Sequence, residues 1–189
     1  CSRSKDLPNK KDILRALKPC KDFKDEGWML YAPSEYEPTL ILAIYDKKQI
    51  DVKEDSWGLY RYAGWLPMCR MLEGSSAPVT YKSEGLAKEL GLENLWITFS
   101  GYWPEKGTNM KTASFKETEA YSVCGRMTED MKQVLVVASA GNTSRAFARV
   151  CSENNIPLII CVPEDNISAL WFDGPINDCV KLICSKSAS

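Results

Sequence analysis

Lys116 lies in a short stretch whose residue types and spacing suit amine chemistry. Ser114 and Glu117 have the Ser-x-x-Glu spacing of a capping box, which predicts that a helix begins here. Lys116 then falls in the first helical turn, near the positive end of the helix dipole, where an ammonium ion is disfavoured. A lysine side chain in its free amine form is a nucleophile that forms Schiff bases with carbonyl compounds. A single lysine is more often a solvated surface charge, so the interpretation depends on a second motif.

The second motif is Ala-Ser-Ala-Gly-Asn-Thr at residues 138–143. It follows the apolar run 134–138 and precedes a stretch with apolar residues at helical spacing. These apolar residues are Ala146, Phe147, Val150 and Cys151. Free backbone N–H groups at such a helix start attract a carboxylate or a phosphate. The motif therefore predicts an anion site where a strand leads into a helix.

The elements expected around these motifs define an α/β fold. Short apolar runs at 134–138, 158–162 and 180–184 predict parallel strands covered on both faces, as in a three-layer βαβ sheet. Ligands of such sheets bind outside the carboxyl ends of the strands, where residues 139–143 fall. The helix that carries Lys116 is predicted to end near residue 124.

Other elements are predicted between and before the two motifs. Residues 83–90 predict a helix that buries Leu86, Ala87 and Leu90 and stops at Gly91. A strand at 95–99 and a long loop at 100–113 follow. We expect residues 1–55 to form a polar flanking segment and residues 56–189 to form the main domain. In the flanking segment, a short helix at 13–17 and a hairpin of 28–31 with 39–45 are predicted. The aromatic stretch 57–67 is interpreted as core packing.

Composition excludes several kinds of function. The 189 residues carry a net charge of −1, so no basic surface favours nucleic acid or an anionic membrane. No apolar run reaches the 20 or so residues that span a bilayer. The absence of histidine excludes Ser-His-Asp and Cys-His catalysis, and no metal site is expected. The eight cysteines include no Cys-x-x-Cys pair, and such scattered cysteines predict reduced thiols and a cytoplasmic protein. Cys161 lies in an apolar run and is predicted to be a small buried hydrophobic residue.

The two motifs together resemble a known enzyme family. Ser-Phe-Lys-Glu at 114–117 is similar to the Ser-Phe-Lys-Asp signature of fold-type II pyridoxal 5′-phosphate (PLP) enzymes, the tryptophan-synthase-β-like group that includes threonine synthase. Residues 138–143 resemble the Ser-Gly-Asn-Thr loop of that group. Pro-Val-Thr-Tyr-Lys-Ser-Glu at 78–84 and Phe-Ser-Gly-Tyr-Trp-Pro-Glu at 99–105 resemble the cysteate synthase branch, threonine-synthase relatives of coenzyme M biosynthesis. The resemblance runs from about Trp57 to Cys184.

The resemblance implies roles for particular residues. Lys116 would hold PLP covalently and act in catalysis, and Asn142 would hydrogen-bond the 3′ oxygen of the cofactor. The substrate carboxylate would be cradled by four residues of the second motif, Ser139, Ala140, Gly141 and Thr143. Lys111 and Lys106 are the candidate cations for the anionic substrates, with Arg145 and Lys82 as weaker candidates.

The resemblance also implies a reaction, a PLP-dependent β-replacement that converts O-phospho-L-serine and sulfite to L-cysteate and phosphate. One alternative is threonine synthase or another fold-type II lyase or synthase, and a second is a non-catalytic structural or binding module. Family members hold the cofactor phosphate with a glycine-rich loop later in the chain. Because the sequence ends at Ser189 without such a loop, we expect an incomplete, N-terminal portion of the fold that is inactive by itself. It would be a truncated chain, a fragment of a gene or a diverged homologue. A homodimer is expected for the full-length protein.

Overall fold

The computed structural model describes residues 13–26, 28–29, 31–33, 37–45 and 48–186. These residues form two compact units. The first unit takes in the described part of Cys1–Leu72 together with Ser122–Lys132, and the second takes in Glu73–Tyr121 together with the described part of Gln133–Ser189. The units follow from packing, whereas the division between residues 55 and 56 rests on composition and stays a prediction.

The first unit contains a three-stranded antiparallel sheet with the strand order β2–β1–β3. Its strands are β1 (Ile13–Ala16), β2 (Lys21–Lys24) and β3 (Ile41–Ala43). The helix predicted at 13–17 is therefore wrong. Leu14 and Ala16 are buried on one face of β1, and a period of two is the pattern of a strand. Pairing with a strand on each side satisfies the backbone of β1 and decides its conformation.

The predicted hairpin is also different from the observed pairing. Strand β3 lies within the predicted segment 39–45, but it pairs with β1 rather than with residues 28–31. Residue 30 lies outside the described residues. The aromatic stretch forms a 3-10 helix at Gly58–Trp65, in which Tyr60 is fully buried and accepts a hydrogen bond from the backbone N–H of Leu72 at 2.7 Å. Core packing is thus confirmed for Tyr60.

The second unit begins with two small antiparallel pairs. Strand β4 (Val79–Lys82) pairs with β5 (Trp96–Phe99), and helix α1 (Glu84–Leu90) lies between them in the chain. Helix α1 ends at Gly91, as predicted, with a left-handed φ of 65°. Its predicted core face is only partly buried, because Ala87 is buried while Leu86 and Leu90 are exposed.

A second hairpin lies inside the predicted loop 100–113. It consists of β6 (Tyr102–Trp103) and β7 (Thr108–Asn109), joined through a 3-10 turn at Pro104–Lys106. The hydroxyl of the buried Thr108 donates to the carbonyl of Gly101 at 3.0 Å, which closes the hairpin. The polypeptide that leads to Lys116 is therefore more ordered than the sequence predicted.

The rest of the second unit is a parallel sheet with a helix on it. Helix α2 spans Lys116–Arg126, and its residues up to Tyr121 are counted in this unit. The elements that follow are β8 (Leu135–Ala138), α3 (Asn142–Glu153), β9 (Leu158–Pro163), a 3-10 helix (Glu164–Ala169) and β10 (Val180–Ser185). The strand order is β10–β9–β8, and both pairs are parallel, as predicted. The apolar residues predicted to share one face of α3 are buried in the structure, which confirms the helical spacing. The buried residues of α3 include Ala146, Phe147, Val150 and Cys151.

The two faces of this sheet differ in burial. Leu158 and Ile160 are buried on one face, against which α3 packs. Paired residues of parallel strands point to the same face, so Val136 shares the opposite face with Ile159. Val136 is 63% exposed there, and Cys161 on the same face is only half-buried. The prediction of strands covered on both faces is therefore not met by the described residues.

Candidate active site

Lys116 is the first residue of α2, which confirms that it lies in the first helical turn. The capping box predicted around it is formed differently. The hydroxyl of Ser114 accepts a hydrogen bond from the backbone N–H of Lys116 at 3.2 Å, and the Glu117 carboxylate binds Thr112 instead of returning to Ser114. The helix start is thus held by two separate contacts rather than by one reciprocal pair.

Thr112 and Glu117, which lie on either side of Lys116 in the chain, form a buried clamp. One oxygen of Glu117, Oε2, accepts hydrogen bonds from the backbone N–H of Thr112 at 2.9 Å and from its hydroxyl at 2.8 Å. Both residues are only 3% exposed. Burial raises the pKa of the Glu117 carboxyl, and the two hydrogen bonds from Thr112 oppose that rise. The clamp closes the turn that presents Lys116.

The amine of Lys116 lies at the surface of the helix start. Its Nζ is 2.5 Å from Oε2 of Glu119, one turn along the helix, and 5.5 Å from the centroid of the Phe115 ring. The Lys116 side chain is 33% exposed, so a small molecule can reach the amine. Sequence reasoning missed Glu119, although its i,i+3 spacing from Lys116 is a signal for an ion pair on a helix.

Residues 139–143 connect β8 to α3, as the sequence predicted. The hydroxyl of Ser139 accepts a hydrogen bond from the N–H of Gly141 at 3.2 Å, and its carbonyl accepts one from the Ser144 hydroxyl at 2.5 Å. Helix α3 begins at Asn142, and the first N–H groups of a helix have no partner within it. Thr143 lies in this first turn and Ala140 precedes it, so the loop can present backbone donors to an anion.

Asn142 is exposed, and its Oδ1 accepts a hydrogen bond from the guanidinium of Arg145. The same guanidinium lies 4.0 Å from the centroid of the Trp171 ring. Arg145 thereby connects the helix start to the segment after β9. An Asn side chain held at an exposed helix start is able to donate through Nδ2 to a ligand oxygen.

A network of charges ties the clamp region to the end of α3. Glu153, the last residue of α3, accepts a hydrogen bond from the Tyr121 hydroxyl at 3.2 Å and pairs with Arg149. Arg149 also donates to Asp173 at 2.8 Å, and Lys111 Nζ lies 4.0 Å from Glu153. Sequence reasoning missed this network, although the i,i+4 spacing of Arg149 and Glu153 is a visible signal.

The cations proposed for anionic substrates all have partners in the described structure. Lys106 lies 5.7 Å from the ring centroids of both Tyr81 and Trp103. Lys82 donates to Asn94 at 3.1 Å. Together with Lys111 and Arg145, they are exposed or half-buried, so each remains accessible to an anion that displaces its present partner.

Lys116 and the 139–143 loop belong to the same unit, and each marks the start of a helix. Within residues 48–186, no hydrogen bond or ion pair joins them directly. The accessible amine of Lys116 is a group that can bond to an aldehyde cofactor. The exposed amide of Asn142 and the N–H groups of the helix start are donors for oxygens of such a cofactor or of its substrate.

The comparisons with known proteins match this motif pattern. The chain is 47% identical over 154 residues to a cysteate synthase of Methanococcoides burtonii, covering 80% of this chain and 36% of the relative. It is 44% identical over 162 residues to the cysteate synthase of Methanocorpusculum labreanum, and this alignment covers 86% of this chain and 39% of the relative. It is 40% identical over 171 residues to the cysteate synthase of Methanosarcina acetivorans, and this alignment covers 90% of this chain and 40% of the relative.

The similarity is longer than the stretch from Trp57 to Cys184 on which the sequence motifs lie. No protein-family model matches the chain, and no solved structure matches it. None of the helices in the described ranges is long and apolar enough to cross a membrane. The chain spans about two-fifths of the length of the curated relatives it matches. Over most of its own length, the chain is thus similar to curated cysteate synthases.

Proposed function

We propose that the chain is part of a PLP-dependent transferase that converts O-phospho-L-serine and sulfite to L-cysteate and phosphate. In this reaction the Cβ–O bond to phosphate breaks and a Cβ–S bond to sulfite forms. The observation that carries the proposal is an accessible lysine amine at the start of α2, in a chain 40 to 47% identical to curated cysteate synthases. Because these relatives are named cysteate synthases, they favour this reaction over that of threonine synthase and over a non-catalytic module.

Two residues of this chain would hold the cofactor. Lys116 would bond to PLP through its amine, and Asn142 would donate a hydrogen bond to the 3′ oxygen of the cofactor. When bound, PLP withdraws electrons from the α-carbon of an amino acid. Lys116, with its amine free, is the group that would take the proton from that carbon.

The second motif would bind the substrate carboxylate. The N–H groups around Ser139, Ala140, Gly141 and Thr143 lie at the start of α3, where the helix dipole favours a negative charge. Both substrates are anions, so Lys111 and Lys106 would add positive charge near the reacting groups.

The same proposal covers the fold and the assembly. We propose the three-layer, fold-type II architecture, to which the parallel sheet β8–β10 with α3 on one face would contribute. A homodimer and a cytoplasmic location belong to this proposal as well. The first comes from the family resemblance, and the second from the scattered cysteines without Cys-x-x-Cys pairs.

The test is covalent capture of PLP by the 189-residue chain. The chain is mixed with PLP, reduced with borohydride and digested, and the peptide that gains the cofactor mass is identified by mass spectrometry. We expect the modification on Lys116, together with an absorbance band of bound cofactor that is absent in Lys116→Ala. Lys88→Ala removes an exposed lysine on α1 and is the matched control. Modification spread evenly over several lysines would contradict the proposal.

A second arm tests the substrate. The spectrum of the bound cofactor is recorded with O-phosphoserine and then with O-phosphohomoserine. A spectral change with phosphoserine at lower concentration supports the cysteate synthase reaction. A change with phosphohomoserine at lower concentration would instead favour the threonine synthase reaction.

A further inference from the structure

The amine of Lys116 has a specific partner that no part of the proposed reaction uses. Nζ of Lys116 lies 2.5 Å from Oε2 of Glu119, and the same Nζ lies 5.5 Å from the Phe115 ring centroid. The two contacts together fix the position of the amine above the first turn of α2. The Glu119 side chain is 43% exposed, so the carboxylate is free to move away without disturbing the core.

The ion pair has a chemical consequence. A carboxylate at this distance stabilises the ε-ammonium, and an ammonium has no lone pair with which to attack an aldehyde. Lys116 therefore has to leave Glu119 before its amine can attack an aldehyde.

The pair also contributes little to the fold itself. Lys116 and Glu119 are neighbours in the first turn of one helix, so their contact holds no distant segments together. Solvent-exposed ion pairs contribute little to folding stability. Removing the pair should therefore leave the chain folded.

We propose that Glu119 is a positioning residue for Lys116, which holds the ammonium over Phe115 and must release it before the amine reacts. The inference rests on the proposed function, because it concerns the lysine that would hold PLP. Glu119 then controls how readily an aldehyde captures Lys116.

The experiment measures the reactivity of Lys116 without PLP. The 189-residue chain is treated with limiting formaldehyde and cyanoborohydride, which methylate free amines, and labelling of Lys116 is quantified by peptide mass spectrometry relative to Lys88. We expect Glu119→Gln to raise this ratio about two- to five-fold, the range that follows from the strength of exposed ion pairs. Glu119→Asp keeps the charge on a shorter side chain, so its labelling ratio is expected to lie between those of the natural sequence and Glu119→Gln.

Salt gives a signature that a purely structural role would not produce. Raising the ionic strength screens an exposed pair, so labelling of Lys116 relative to Lys88 should rise in the natural sequence and stay constant in Glu119→Gln. Glu164→Gln makes the same charge change at the start of the 3-10 helix Glu164–Ala169, away in sequence from both lysines, and is the matched control. An unchanged ratio in Glu119→Gln, or an equal increase in Glu164→Gln, would overturn the inference.

The two proposals fail independently. If Glu119→Gln speeds formaldehyde labelling but PLP is not captured at Lys116, the ion pair controls the amine and the cofactor assignment is wrong. If PLP is captured at Lys116 but Glu119→Gln changes no labelling ratio, the cofactor assignment stands and Glu119 has no positioning role.

Discussion

A single carboxylate oxygen of Glu117 accepts hydrogen bonds from the backbone N–H of Thr112 at 2.9 Å and from its hydroxyl at 2.8 Å. The two residues are five positions apart and almost completely buried. Their contact closes the turn from which Lys116 projects, so the conformation of the segment that carries Lys116 depends on a buried carboxylate.

We expect Glu117 to make the stability of the chain depend on pH. Burial raises the pKa of this carboxyl in the folded state, so the folded chain binds the proton more tightly than the unfolded chain. Stability is therefore greatest below the unfolded pKa and falls as the pH rises through the higher folded pKa. Glu117→Gln keeps an oxygen that accepts both hydrogen bonds but cannot titrate. Urea unfolding at a series of pH values from about 4 to 7 should show a smaller loss of stability in this variant.

The control for this titration is Glu84→Gln, which removes an exposed carboxylate at the start of α1. It should retain the pH dependence of the natural sequence. Equal pH dependence in Glu117→Gln and the natural sequence would contradict the assignment of this effect to Glu117.

Removing the Thr112 hydroxyl should weaken the clamp. Thr112→Val keeps the shape of the side chain but leaves the buried Glu117 carboxylate with one hydrogen bond fewer, at an expected cost of about 1–3 kcal/mol in the free energy of unfolding. Thr112→Ser keeps the hydroxyl and should cost less than Thr112→Val. Chemical denaturation measures both. A larger loss in the Ser variant would show that methyl packing, and not the hydroxyl, dominates at this site.

Gly74 is expected to tolerate a Cβ less well than Gly107 does. Its φ is +90°, and a Cβ there would lie 2.6 Å from the Tyr121 hydroxyl and 2.7 Å from Oε2 of Glu153, the two groups that hydrogen-bond each other. Gly107 has a similar φ of +85° but nothing within 4 Å of its Cβ position. Because the close atoms are the ends of two side chains and one of them can move, Gly74→Ala should destabilise the chain more than Gly107→Ala by up to about 1 kcal/mol. Equal losses in thermal unfolding would mean that only the backbone conformation matters.

The unequal burial of the parallel sheet can be tested with one chemical change at two positions. Val162 on β9 is fully buried, whereas Val136 on β8 is 63% exposed. We expect Val162→Ala to cost about 1–3 kcal/mol of unfolding free energy and Val136→Ala to cost less than about 0.5 kcal/mol. Urea denaturation of the two variants compares them directly. A comparable loss at Val136 would show that this face of the sheet is covered in solution.

Local sequence signals determined most of the second unit. Apolar runs predicted β8, β9 and β10, and Gly91 predicted the end of α1 because glycine adopts a left-handed φ at little cost. The spacing around Lys116 predicted a helix start, and the residues after Asn142 predicted the buried face of α3. These features depend on interactions within a few residues, so the sequence pattern alone is enough to find them.

Only the tertiary structure decided which distant groups meet. Strand β1 was predicted as a helix because its partners, Phe23 and Ala43 opposite Leu14, lie 9 and 29 positions away in the chain. The carboxylate of Glu117 accepts hydrogen bonds from Thr112 rather than from Ser114, because in the folded chain the buried Thr112 hydroxyl lies beside it. Burial and pairing between distant segments depend on the packing of the whole chain. Residue types at local spacing therefore do not predict them directly.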